Sequence, residues 1–290
     1  MARGLDHIVH AVRDLDAAAA LYRGLGFQVS ARNRHPKEWG TQNHTIQFPG
    51  TYVELLSLAD ASAMAPQAPR HFSFGAFNRD FLARGEGLSM LVLEGRGASD
   101  AAEFNTQGLG DFALFEFARE GRRPDGAPVT LAFSLAFASD PEAPDIGFFT
   151  SRQHNPENFW NPQFQVHANT ARRVAGVVLV ARNPARHEKF LCKFTGVDKS
   201  QASDDVLVFR TPRGDIEVAT PAAFLRRFGV SPPAVSHGAR LAALRFTVED
   251  ASLLKAAPEE AGIAGLYAEE KTIIGREDAL GAILVFEPDR

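Results

Sequence analysis

Two apolar runs near the start of the chain alternate with a period of two. Leu5-Asp6-His7-Ile8-Val9-His10-Ala11-Val12 and Tyr52-Val53-Glu54-Leu55-Leu56 both read as strands. On that period His7 shares a face with Leu5 and Val9, and Glu54 shares one with Tyr52 and Leu56. Between them, Asp14 caps a helix that runs through the alanines to Leu21 and Tyr22 and stops at Gly24 and Gly26. Strands are expected at Phe27–Ala31 and Thr45–Phe48, separated by a polar loop through His35 and Trp39, with a Pro49-Gly50 turn before the Tyr52 strand.

The same grammar returns three times. Leu88–Leu93 opens a second unit, with a helix from Ser99 to Phe104 and strands at Ala113–Phe117, Val129–Phe137 and Ile146–Thr150. Val174–Ala181 opens a third, with a helix around Ala185–Phe194 and strands at Val206–Arg210 and Asp215–Ala219. Leu241–Val248 opens a fourth, with Asp250 as helix cap and a last strand at Ala282–Phe286. Four βαβββ units give an α+β chain of cupped mixed sheets with helices outside. The pairs divide near Ala171, into residues 1–171 and 172–290.

Composition narrows the function. A net charge of −4 with scattered Arg and Lys leaves no electrostatic footprint for nucleic acid or anionic membrane. The longest apolar run, Val174–Ala181, is too short to span a bilayer, and no hydrophobic signal region opens the chain, so a cytoplasmic protein is expected. One cysteine, Cys192, excludes an intrachain disulfide and a cysteine metal cluster; its helical setting reads as a buried structural thiol. Twenty-three Phe against three Tyr imply aromatic packing without buried hydroxyls.

The chemistry concentrates on His7 and Glu54, because a carboxylate on an apolar strand face needs a partner. His10, on the opposite face, reads as structural. Asn43 is a candidate substrate donor, and His154, Glu157 and Trp160 lie in a polar loop that can close the groove. Phe72, Phe74, Phe77, Phe148 and Phe149 are candidates for an apolar wall. Pro124-Asp125-Gly126 is a turn. Gly108-Leu109-Gly110 meets a loose dinucleotide pattern but follows a helix, and His187-Glu188 lacks the second histidine of a zinc protease helix.

These runs resemble the vicinal oxygen chelate superfamily and, within it, the glyoxalase-like group. Leu5–Asp16 is similar to its first strand and helix start, and Gly40–His44 followed by Tyr52–Leu56 to its third and fourth strands. Arg123–Gly126, His154–Pro162 and His167-Ala168-Asn169 are similar to runs in the glyoxalase-like group. The resemblance implies a cupped sheet whose first-strand histidine and fourth-strand glutamate, His7 and Glu54, ligate a divalent metal (Mn, Fe, Ni or Zn), with His154 as third ligand. It implies a lyase or isomerase acting on an oxygen-bearing small molecule, with His154 or Glu157 moving protons and Asn43, Phe148 and Trp160 against substrate. Ring-opening dioxygenation and metal-free sequestration are the alternatives. Met90, Gly176 and Ala243 stand where His7 stands, so units two to four lack the ligand, and Glu217 matches Glu54 without a histidine opposite. The chain is expected as monomer or homodimer.

Overall fold

The computed structural model describes residues 1–122, 126–203, 205–250, 263–268 and 270–289. Its strands form two curled mixed sheets. The first contains β1 (Leu5–Ala11), β2 (Asn33–Arg34), β3 (Thr41–Phe48), β4 (Thr51–Leu58), β5 (Gly87–Glu94), β6 (Phe115–Arg122), β7 (Pro128–Ala138) and β8 (Gly147–Gln153), in the order β2-β3-β4-β1-β5-β8-β7-β6. The second contains β9 (Ala171–Val180), β10 (Gln201–Ser203), β11 (Val206–Phe209), β12 (Asp215–Ala219), β13 (Arg240–Val248), β14 (Gly265–Ala268), β15 (Lys271–Ile274) and β16 (Ile283–Pro288), in the order β10-β11-β12-β9-β13-β16-β15-β14.

Both sheets repeat one wiring. β1 runs parallel to β4 and antiparallel to β5, and β5 runs parallel to β8. β9, β12, β13 and β16 reproduce that set. Register repeats as well: Glu54 pairs with Val9, Glu217 pairs with Val178, and Gly176 falls two residues before Val178 as His7 falls two before Val9. The α+β architecture of repeated βαβββ units is therefore the observed fold.

Alternation assigns each strand a back face and a cup face. The back faces of the two sheets meet in one core, where Ile8, Leu91 and Phe148 join Val177, Leu244 and Phe286. Helices α1 (Leu15–Gly24), α3 (Ser99–Gln107) and α5 (Glu188–Thr195) contribute Tyr22, Phe104 and Phe194 to that core. Asp14 caps α1 by accepting from the amides of Asp16 and Ala17. Arg3 ties the halves together: fully buried, it pairs with Asp100 at 3.0 Å and donates to the Phe194 carbonyl.

Two helices on the cup side were absent from the sequence reading. α2 (Phe74–Arg84), capped by Ser73, follows β4 and packs Phe74 against Val9, Met90 and Phe149. α6 (Pro221–Phe228), capped by Thr220, follows β12 and packs Phe224 and Phe228 against Val178 and Ile283. Both caps stand in the sequence as Ser or Thr before the first turn, and Gly229 ends α6 in the left-handed region. The short α4 (Pro156–Phe159) lies in the connection from β8 to β9.

Other expectations change. Phe27–Ala31 forms no strand, and the edge of the first sheet is only Asn33–Arg34, with Ser30 bonding β3 through its backbone and hydroxyl. Leu5 does not share the His7 face. A register shift between Leu5 and His7 against β5 turns Leu5 into the back core. The Pro124-Asp125 turn and the helix expected after Asp250 lie outside the described residues.

Candidate active site

The first cup holds a line of buried polar groups. His7 is 3% exposed and Glu54 4% exposed, and His7 Nε2 lies 3.6 Å from Glu54 Oε2. The β1 irregularity re-aims Asp6, whose Oδ1 sits 2.6 Å from His7 Nδ1. On the other side, His35 Nε2 donates to Glu54 Oε1 at 3.1 Å, while His35 Nδ1 lies 2.8 Å from the Thr41 hydroxyl. Asn43 Nδ2 donates to the same Glu54 oxygen, leaving Asn43 Oδ1 buried without a partner.

Electrostatics follow from this packing. Burial alone raises the Glu54 carboxyl, but the bond from His35, the charges of His35 and His7 and the Asn43 bond outweigh it, so it lies below the ordinary carboxylate range. Asp6 goes the other way, because burial exceeds the lowering by His7 and Arg213. Tyr52 stacks on the His7 ring at 4.3 Å between centroids, and burial with the Asp6 and Glu54 charges pushes its hydroxyl well up.

Aromatic side chains roof this line. Trp39, Phe74, Phe117, Phe133, Phe149 and Phe159 enclose a cavity of about 40 Å³, large enough for about three waters. Thr45, Arg119 and Phe159 line this cavity and also a second one of about 360 Å³, walled by Gln47, Leu131, Glu157, Trp160 and Asn161. The strands lead from one to the other: Asn43, Thr45 and Gln47 on β3, and Phe117, Arg119 and Gly121 on β6, step outward two residues at a time. Gln47 latches the outer wall, donating to the Phe159 carbonyl at 2.9 Å and accepting from the Asn161 amide.

The expected site residues divide. His7, Glu54 and Asn43 come together in the inner cavity, and Glu157 and Trp160 line the outer one. His154 joins neither: its Nε2 lies 2.6 Å from the Ser134 hydroxyl, which donates to Glu116. The role expected for it as third ligand or proton carrier has no geometric support. Phe148 points into the back core against Phe190 and Phe194, and its neighbour Phe149 takes the wall position, since adjacent strand residues face opposite ways. His167 and Asn169 tie the connection after β8 back to the first unit by bonding the backbone of Gln28, Gln47 and Leu25. Cys192 is half-buried instead of buried, and burial raises its thiol, which disfavours a thiolate.

Asp6, His35 and Arg119 were missed. Arg119 had a signal, since it continues the period-two series Phe115, Phe117. His35 had none, because it reaches Glu54 from the loop that follows the short edge strand. The irregularity that turns Asp6 is likewise invisible in composition.

A catalytic metal needs about three protein donors. His7 Nε2 and Glu54 Oε2 face one another, but Glu54 Oε1 is taken by His35 and Asn43, and across the cup stand Met90, Val92 and Phe149. Among the described residues no three His, Cys, Asp or Glu side chains are placed to hold a metal ion. The expected third ligand, His154, is engaged with Ser134 instead of joining His7 and Glu54, whose neighbouring imidazole is His35.

The second cup is filled. Glu217, the register partner of Glu54, is paired by Arg227 of α6 and by Arg245, and Phe224 and Phe228 occupy the space above. A Cβ on Gly176 would lie 2.3 Å from the Asp215 carbonyl oxygen, so no histidine fits where His7 stands in the first sheet.

Paired curled sheets with one open, polar-centred cup define the vicinal oxygen chelate fold. A family model described as a glyoxalase-like domain matches residues 5–195, and the chain belongs to that family. Among solved structures, a hypothetical protein from Staphylococcus aureus superposes with TM-score 0.68 at 12% identity, covering 100% of both chains. A triple variant of 4-hydroxymandelate synthase from Streptomyces coelicolor superposes with TM-score 0.58 at 11% identity, covering 100% of this chain and 94% of that one. These likenesses establish the fold. No curated protein matches the sequence. No helix among the described residues is long and apolar enough to cross a membrane.

Proposed function

We propose that the first cup is the reaction chamber of a small-molecule lyase or isomerase that moves a proton beside a carbonyl group. The observation that carries this reading is the buried Asp6–His7 pair. Asp6 accepts from His7 Nδ1–H at 2.6 Å, which leaves Nε2, 3.6 Å from Glu54 Oε2 on the cavity wall, as the ring atom that exchanges a proton with a bound molecule. The aromatic roof surrounds these groups with apolar surface, which strengthens each polar contact inside. Glu54, held ionised by His35 and Asn43, stabilises the imidazolium that His7 becomes after taking the proton.

Exchange of activated C–H groups into D₂O, followed by proton NMR on a panel of 2-oxo acids, 2-hydroxy acids and 1,2-dicarbonyls, tests the proposal. Exchange by the parent, reduced about 10²–10⁴-fold in His7→Ala and measurably in Asp6→Asn, is expected. Exchange undiminished in His7→Ala would refute it. Binding of panel members without any exchange would replace it with sequestration in an aromatic cup.

A further inference from the structure

Arg119 is a cation at the neck of the site that the proposed reaction does not use. It sits half-buried on β6 at the neck between the two cavities, and burial lowers its guanidinium, partly offset by Tyr52 and Glu54. Among the described residues that guanidinium has no ion pair. Neutralising the buried glutamate is not its task. In the second cup Glu217 is paired directly by two arginines, whereas Glu54 takes its bonds from His35 and Asn43.

A second polar atom in the inner cavity also lacks a partner. Asn43 is 5% exposed, and its Oδ1 is buried with no donor to it among the described residues. The amide nitrogen faces Glu54 Oε1 and lies 3.1 Å from His35 Nε2, so Oδ1 is the atom turned away from both. A buried acceptor left without a bond keeps its full desolvation penalty, so a ligand donor here gains more than an ordinary surface bond. Asn43 and Arg119 lie on strands that flank one continuous trough, in which residues two apart are separated by about 7 Å.

We propose that Arg119 anchors the carboxylate of the ligand while Asn43 Oδ1 accepts from a hydroxyl of the same molecule, so the site takes hydroxy acids with a compact apolar body. An anion satisfies the guanidinium, a hydroxyl satisfies the amide oxygen, and the ring or alkyl group lies in the outer cavity of about 360 Å³ against Leu131, Phe159 and Trp160. The inference rests on the reading of this cavity as the reaction chamber, and it specifies which molecules enter.

Titration calorimetry of the full chain with 3-phenyllactate, its primary amide and phenylacetate tests it without requiring turnover. Phenyllactate should bind at millimolar concentration or below, with the amide and phenylacetate each weaker by about tenfold. Arg119→Gln should abolish the preference for acid over amide, and Arg119→Lys should keep part of it. Asn43→Leu should abolish the preference for phenyllactate over phenylacetate. Thermal melts of each variant establish that it is folded. Equal binding of acid and amide, an unchanged preference in Arg119→Gln, or no binding of any acid would overturn the proposal. Arg119-dependent binding without D₂O exchange would keep the anchor and refute the reaction. His7-dependent exchange on neutral carbonyls, with no acid bound, would do the reverse.

Discussion

His10 gives the most quantitative prediction. It faces the back core with no exposed surface, its Nδ1 3.0 Å from the Tyr22 hydroxyl and its Nε2 2.9 Å from the Leu280 carbonyl oxygen of the second half. Burial pushes it down from 6.5 to about 4, against a smaller opposing effect of the Leu280 bond. His167, which ties the connection after β8 to Gln28 and Gln47, is pushed down to about 4 by burial as well. A histidine whose pKa is lowered on folding binds a proton in the unfolded chain first. Stability is therefore intact above pH 6.5, falls as the pH drops toward 4, and levels off below that. For each histidine the loss is about 2 kcal/mol at pH 5 and about 3 kcal/mol at pH 4. Two such losses are a large part of the roughly 5–15 kcal/mol that holds a domain folded. Urea unfolding at pH 7 and pH 5, followed by the fluorescence of Trp39 and Trp160, measures the difference. His10→Gln should be weaker at pH 7 by about 1–3 kcal/mol through a lost buried bond. Between pH 7 and pH 5 it should lose about 2 kcal/mol less than the parent. Equal losses in both proteins, or a His10 ring that titrates near 6.5 by NMR, would refute the argument.

Two further outcomes follow from the cups. Calorimetric titration with Zn²⁺ or Mn²⁺ should show no one-to-one site tighter than about micromolar, since among the described residues no three donors are placed to hold an ion; submicromolar binding lost in both His7→Ala and Glu54→Ala would show that a third ligand assembles. In the second cup, Glu217→Ala leaves Arg245, 12% exposed, with only Glu287 and should cost toward the low end of about 3–5 kcal/mol. Denaturant unfolding checks it, and a change within about 0.5 kcal/mol would mean the Glu217 pairs contribute nothing net.

Period-two alternation and the recurring strand, cap and helix grammar determined the α+β fold and its repeated units. These are local signals, and each residue's face follows from its own strand. They also singled out His7 and Glu54, because an ionisable group in an apolar run is anomalous wherever it occurs. Three kinds of information came only from tertiary structure. The irregularity at Leu5–His7 depends on β5 as well as β1, so the Asp6–His7 pair could not be read from β1 alone. Face assignment at a strand end depends on register, which kept Phe149 in the cup wall and turned Phe148 into the back core. Completeness of a ligand set depends on what stands across the sheet: Met90, Val92 and Phe149 opposite His7, and His154 at Ser134. The difference between an open and a filled cup was decided last. α2 and α6 follow equivalent strands, but only α6 sends an arginine to the buried glutamate and two phenylalanines into the space above it.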